Sequence, residues 1–147
     1  MKSSLLQLYT RELDRFASEI ELYEHEVSLW KLAMNISNSS GSLCLHLVGN
    51  LHHFIGKHLG NTDYVRQRDA EFSTTDVSKA ILLQEIDVAK QMVITTLTNL
   101  PEGKLQENYP IEKNGETVTT EYMLLHLFWH LSYHVGQINY HRRLLDS

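Results

Sequence analysis

Residues 121–145 have the sequence EYMLLHLFWHLSYHVGQINYHRRLL, which contains no proline and has the apolar spacing of a long helix. His126, His130 and His134 follow one another at intervals of four residues. Four residues turn a helix by about 400°, so the three imidazoles share one stripe of its surface. The pattern therefore predicts a long last helix that carries a row of histidines among apolar and aromatic side chains.

Three other segments have apolar residues at spacings of three and four, which is typical of amphipathic helices. They cover about residues 4–34, 42–59 and 76–100, and the last helix begins at Thr119 or Thr120, where a hydroxyl can cap the first turn. Only two prolines and seven glycines interrupt the 147 residues, which favours long helices over many short strands. The sequence therefore predicts an all-α fold.

Two connections between these helices have features of their own. Residues 60–75 are a polar connection, and its length is unusual unless it crosses the molecule or serves a function. Asn114-Gly115, between short alternating stretches, is the signal of a two-residue hairpin turn. With no internal repeat, residues 1–147 are expected to form a single domain of four helices, with a small β-hairpin before helix 4.

Charge and composition exclude several functional classes. Lys and Arg number 13 against 18 Asp and Glu, a net charge of −5, so we expect no nucleic-acid partner. Cys44 is the only cysteine, which excludes an internal disulfide framework and a CxxC site. No run of about 20 apolar residues and no signal-peptide pattern occurs, so we expect a cytoplasmic protein without a membrane partner.

Histidine is the residue type that stands out, with nine in the chain. Neutral imidazoles bind divalent transition metals, and two histidines one helical turn apart can reach the same ion. The second helix offers a third ligand from His46, His52, His53 or His58, and Asn50 shares a face with His46 and His53. We expect a mononuclear site with three nitrogen ligands and an open position, which is typical of catalytic sites. Ligand type leaves zinc, nickel, copper and iron open.

The residues of these two helices also resemble a known family. HLSYHVGQ, residues 130–137, is similar to the HxxxHxGQ signature in the last helix of the DinB-like (damage-inducible-type) metal-binding four-helix bundles, and LHL, residues 45–47, resembles the His-Leu of their second helix. Residues 46–72 look closer still to a sub-branch of unknown function. The resemblance covers essentially the whole chain. One departure is Val135, where many relatives have arginine.

The resemblance implies a topology and a ligand set. The bundle would run up-down-down-up, with a long crossover between helices 2 and 3. The metal ligands would be His46, His130 and His134, holding Zn²⁺ or Ni²⁺, and His126 would be a pocket residue. Relatives with known activity are thiol-dependent transferases and isomerases, in which the metal activates a low-molecular-weight thiol.

We therefore expect a metal-dependent enzyme acting on a small molecule, as a thiol-dependent S-transferase or a hydrolase. His126, Gln137 and Asn50 are the candidates for catalytic or positioning roles. The alternative is a non-catalytic, stress-associated metal-binding bundle, whose site a fourth ligand such as His53 or His126 would close. A homodimer is expected in both cases.

The connection after the second helix carries a further alternative. Tyr64 and Arg66 could cover the pocket and bind an anionic group, or the charges of this segment could simply form solvated ion pairs of about 0–1 kcal/mol each.

Overall fold

A computed structural model describes residues 1–147, and its regular structure is entirely helical, which confirms the all-α class. The helices are α1 Lys2–Glu21, α2 Ser40–Leu51, α3 His58–Gly60, α4 Arg68–Ser73, α5 Lys79–Asn99 and α6 Thr120–Leu145. A π-helical segment, His52–Lys57, joins α2 to α3, and 3-10 helices lie at Glu26–Trp30 and Glu102–Gln106. None of the helices combines the length and apolar composition needed to cross a membrane.

The long helices enclose one hydrophobic core of 27 buried residues. Helix α1 packs on α5 and α6, while α2 packs on α4, α5 and α6. The Tyr9 hydroxyl donates a hydrogen bond to the Leu124 carbonyl at 2.6 Å, which ties α1 to α6 inside this core. The packing therefore brings α2 and α6, the two histidine-bearing helices, side by side.

The first helix is shorter than its apolar spacing predicts. A helix over residues 4–34 is wrong, because α1 ends at Glu21. The Asp146 carboxylate accepts hydrogen bonds from the backbone N–H groups of Glu24 and His25, and these replace helical bonds. The break turns the chain, so Val27 is 68% exposed although its spacing predicts a core position.

Helix α2, its π-helical extension and α3 together cover residues 40–60, close to the predicted 42–59. The Ser39 hydroxyl accepts a hydrogen bond from the N–H of Ser42 and caps the first turn. The connection that follows contains α4, which packs against α2. The six residues of α4 are too few for the sequence to show the apolar spacing of a helix, so the sequence does not predict it.

The third predicted helix, residues 76–100, is observed as Lys79–Asn99 with Ser78 as its cap. Asp76 lies outside it with a φ of 61°. The predicted β-hairpin is not confirmed: Asn114 and Gly115 make the turn with positive φ, but only two isolated antiparallel bridges form around it. Pro110 lacks the N–H that a continuing ladder would need.

Candidate metal centre

Three imidazoles from two helices converge at one point. His46 lies on α2, and His130 and His134 lie one turn apart on α6. One nitrogen of each ring lies within 4.8 Å of the others, and the Nε2 atoms of His46 and His130 are 3.1 Å apart. Two nitrogen ligands on one tetrahedral ion, each at about 2.0–2.1 Å, lie roughly 3.3 Å apart. The observed spacing therefore fits a shared cation.

The orientation of His46 is fixed from the crossover segment. Its Nδ1 donates to Glu71 Oε1 at 3.1 Å, because a carboxylate only accepts. Arg66 holds the same carboxylate through two hydrogen bonds of 3.0 Å. With a proton on Nδ1, the lone pair of His46 lies on Nε2, the nitrogen that faces the cluster. A carboxylate behind a histidine in this way is a common support of metal ligands.

Gly49 makes room for that carboxylate. A Cβ atom at this position would lie 2.0 Å from Glu71 Oε2 and 2.7 Å from Glu71 Cδ. Helix α4, which carries Glu71, therefore approaches α2 closely at Gly49. A side chain here would push Glu71 away from both of its partners, His46 and Arg66.

His134 is oriented from its own helix. Its Nδ1 lies 2.6 Å from Gln137 Oε1, three residues further along α6. The amide oxygen accepts, so Nδ1 carries the proton and the lone pair again lies on Nε2. Gln137 thus contacts a candidate ligand, which is the role its place in the sequence motif suggested.

Burial keeps two of the rings neutral. Burial first, and then the nearby His134, lowers the pKa of His46 to about 4 and that of His130 to about 3. Neutral imidazole is the metal-binding form, so at neutral pH no proton has to be displaced from these two rings. His46, His130 and His134 together are the residues that could hold a divalent transition metal.

The cluster opens onto a pocket of about 660 Å³. Asn50, His53 and His126 line it without joining the converging nitrogens. His52, one of the four candidates for the third ligand, instead stacks on Tyr64 on another side of the helix. Tyr64 therefore does not cover this pocket, so that half of the lid interpretation is wrong.

Arg66 does line the pocket, together with Arg68 and Phe72. The solvated ion-pair interpretation of Arg66 is wrong as well, since its pair with Glu71 is largely buried. Glu71 was not identified from the sequence as a partner of His46. The only indication in the sequence was Gly49, a glycine inside a helix, which leaves room for the Glu71 carboxylate.

His141 and Cys44 have surroundings that are ordinary for buried residues. His141 is buried and hydrogen-bonded at both nitrogens, to the Tyr23 hydroxyl and the Lys31 carbonyl. Cys44 is a free cysteine and is fully buried in the hydrophobic core.

Comparison with known proteins adds a family. No curated protein matches the chain. The sequence model of a family described as "Protein of unknown function (DUF1572)" matches residues 6–147. This match covers nearly the whole chain, including all three converging histidines. The chain therefore belongs to the DUF1572 family.

Proposed function

We propose that this protein is a mononuclear metal-dependent enzyme of DinB-like type that acts on a small molecule. His46, His130 and His134 would hold one Zn²⁺ or Ni²⁺ ion. The reaction would be a thiol-dependent S-transfer or, as the second candidate, a hydrolysis. One observation carries the proposal. Glu71 and Gln137 each fix a histidine so that its Nε2 lone pair is free for the cluster, at the floor of an open pocket.

The packing supports the bundle part of the proposal. Helices α1 and α2 each contact both α5 and α6, which is a closed ring of four neighbours. The segment between α3 and α5 would be the long crossover of an up-down-down-up bundle. Helix α4 of this crossover would serve the site, because it carries Glu71, whose carboxylate is hydrogen-bonded to His46.

The chemistry follows from the pocket residues. A divalent cation held by His46, His130 and His134 would lower the pKa of a coordinated water or thiol. His126 lines the same pocket, and its neutral ring would accept the proton that the thiol loses. In the transferase reaction the thiol sulfur forms a bond to carbon while the bond from that carbon to the leaving group breaks. Asn50 would orient the substrate.

The non-catalytic alternative needs a site closed by the protein. His53 and His126 were the candidates for a fourth ligand, and neither joins the converging nitrogens. An open position beside a pocket supports turnover instead.

A homodimer remains part of the proposal. The outer face of α6 carries exposed aromatic residues at spacings of seven, four and seven, namely Tyr122, Trp129, Tyr133 and Tyr140. A heptad-like spacing suits packing against a second copy of the same helix, with Gly136 allowing close approach. Sedimentation should give a dimer for the wild type and a monomer for Trp129→Glu, while Val88→Glu, at an exposed position of α5, should remain dimeric.

The enzyme proposal is tested by thiol consumption. Zinc- or nickel-loaded protein is mixed with a panel of electrophiles and several small thiols, and free thiol is followed over time. Wild type and His58→Ala should accelerate the loss with at least one pair, and His134→Ala should not. Full metal loading without acceleration for any pair would favour the non-catalytic alternative.

A further inference from the structure

The pocket at the histidine cluster differs in charge from the molecule as a whole. The chain has a net charge of −5, yet the pocket is lined by Arg66, Arg68 and Lys113 against one acidic residue, Glu112. Cationic side chains are thus concentrated where a substrate would enter.

Only two of the three cations are free to meet a ligand. Arg66 is engaged by Glu71 through both its Nε and its Nη2. Arg68 and Lys113 have no ion-pair partner in the structure. They come from different segments, α4 and the turn before α6, so both segments would contribute to one anion site.

Arg68 lies close to the metal centre. Its Cζ is 5.5 Å from the centroid of the Phe72 ring, and that ring is 4.9 Å from the ring of His46. Burial and then His134 are the main causes that lower the pKa of His46, and the positive charges of Arg66 and Arg68 lower it further. Arg68 and the three histidines line the same pocket, so one small molecule bound there can contact both.

An independent observation points to a ligand in the same pocket. Asn50 is only 7% exposed and lines the pocket, and its Oδ1 has no hydrogen-bond partner. The His53 Nδ1 is likewise buried without a partner. A buried amide oxygen without a donor costs free energy, which a bound N–H or O–H group would recover.

We propose, resting on the proposed function, that the pocket takes a small molecule carrying an anionic oxygen group, a carboxylate or a phosphate. Arg68 and Lys113 bind this group. Asn50 Oδ1 accepts a hydrogen bond from an N–H or O–H group of the small molecule, next to the atom of that molecule that binds the metal.

Three hydroxamates of equal chain length test the anion site in zinc-loaded protein: butyrohydroxamate, succinate monohydroxamate and 3-phosphonopropanohydroxamate. They share a metal-binding end and differ only in a terminal methyl, carboxylate or phosphonate. Calorimetric titration should show at least one charged probe binding about tenfold tighter than the methyl probe, as expected for a charge-assisted hydrogen bond. The ratio between the two charged probes distinguishes carboxylate from phosphate.

Variants separate the parts of the site. Arg68→Gln and Lys113→Gln should each reduce the advantage of the charged probe several-fold, and Lys57→Gln, an exposed cation outside the pocket, should retain it. In all three probes the hydroxamate N–H would donate to Asn50 Oδ1. Asn50→Leu should therefore reduce the affinity for all three by a similar factor and leave the preference for the charged probes intact.

The outcomes distinguish this inference from the proposed function. Equal affinity for all three probes, or an unchanged preference in both cation variants, would overturn the anion site while leaving the metal proposal in place. Zinc-loaded protein that binds none of the probes would contradict the open coordination position, and the anion site would fail with it.

Discussion

Helix α6 carries two histidine sites that the structure uses differently: His141 is buried and His134 is half-buried. His141 is hydrogen-bonded at both nitrogens, to the Tyr23 hydroxyl at 2.6 Å and to the Lys31 carbonyl at 2.9 Å. His134, seven residues earlier, has one nitrogen on Gln137 and directs the other toward His46 and His130. The comparison teaches that the surroundings of the second nitrogen decide the role. A ring bonded on both sides to a hydroxyl and a carbonyl is structural, and a ring whose second nitrogen faces other imidazoles is available to a shared ligand.

The largest expected effect is on metal binding. His130→Ala removes one of three ligands, so zinc affinity should fall at least about a hundredfold, because each ligand of a zinc site accounts for a few kcal/mol. Competition with a chromophoric chelator measures the affinity, and far-ultraviolet circular dichroism should show unchanged helical content. His141→Gln is the matched control on the same helix. If it lost zinc as His130→Ala does, the division between the two sites would be wrong.

The next largest effect on zinc affinity is expected from loss of the hydrogen bond between His46 and Glu71. Gly49→Ala places a Cβ where Glu71 Oε2 lies, so the carboxylate must leave His46. Zinc affinity should fall about 10–100-fold, as is usual when such a support is lost. Gly103→Ala is the control, since a Cβ there meets nothing within 4 Å. Unchanged affinity in Gly49→Ala would show that Glu71 does not orient the ligand.

The structural site should respond in stability instead. The Tyr23 hydroxyl bridges His141 and Ser40, so Tyr23→Phe leaves buried polar groups unpaired. The free energy of unfolding, measured with urea, should fall by about 1–3 kcal/mol. Zinc affinity should stay within about twofold of the wild type. A larger loss of affinity would mean that the two sites are coupled through α6.

The smallest effect is a pH dependence of stability in metal-free protein. Burial lowers the pKa of His141 below its ordinary value of 6.5, against the raising effects of the Lys31 carbonyl and Asp146. The unfolded chain therefore binds the proton first, and the contribution of this ring is lost as pH falls below 6.5. The limiting slope is about 1.4 kcal/mol per pH unit. Urea midpoints at pH 7.5 and 5.5 should differ less in His141→Gln than in wild type, and equal differences would contradict this.

The same contrast shows what could be predicted from the sequence. Spacing along one helix placed His130 and His134 together, and the cap at Thr119 is confirmed by its hydrogen bond from Tyr122. Periodicity carries no information about contacts between distant segments, so the grouping of His46 with His130 and His134 was implied by the family resemblance and not by spacing. The end of α1 depends on Asp146, and the orientation of His46 depends on Glu71.

The central claim is that three imidazoles bind one cation, and X-ray absorption at the metal edge tests it most directly. Zinc-loaded wild type should show three imidazole nitrogens at about 2.0–2.1 Å with the remaining coordination from water oxygen. A spectrum with fewer than three imidazoles, or with sulfur from Cys44 in the first coordination sphere, would contradict the account.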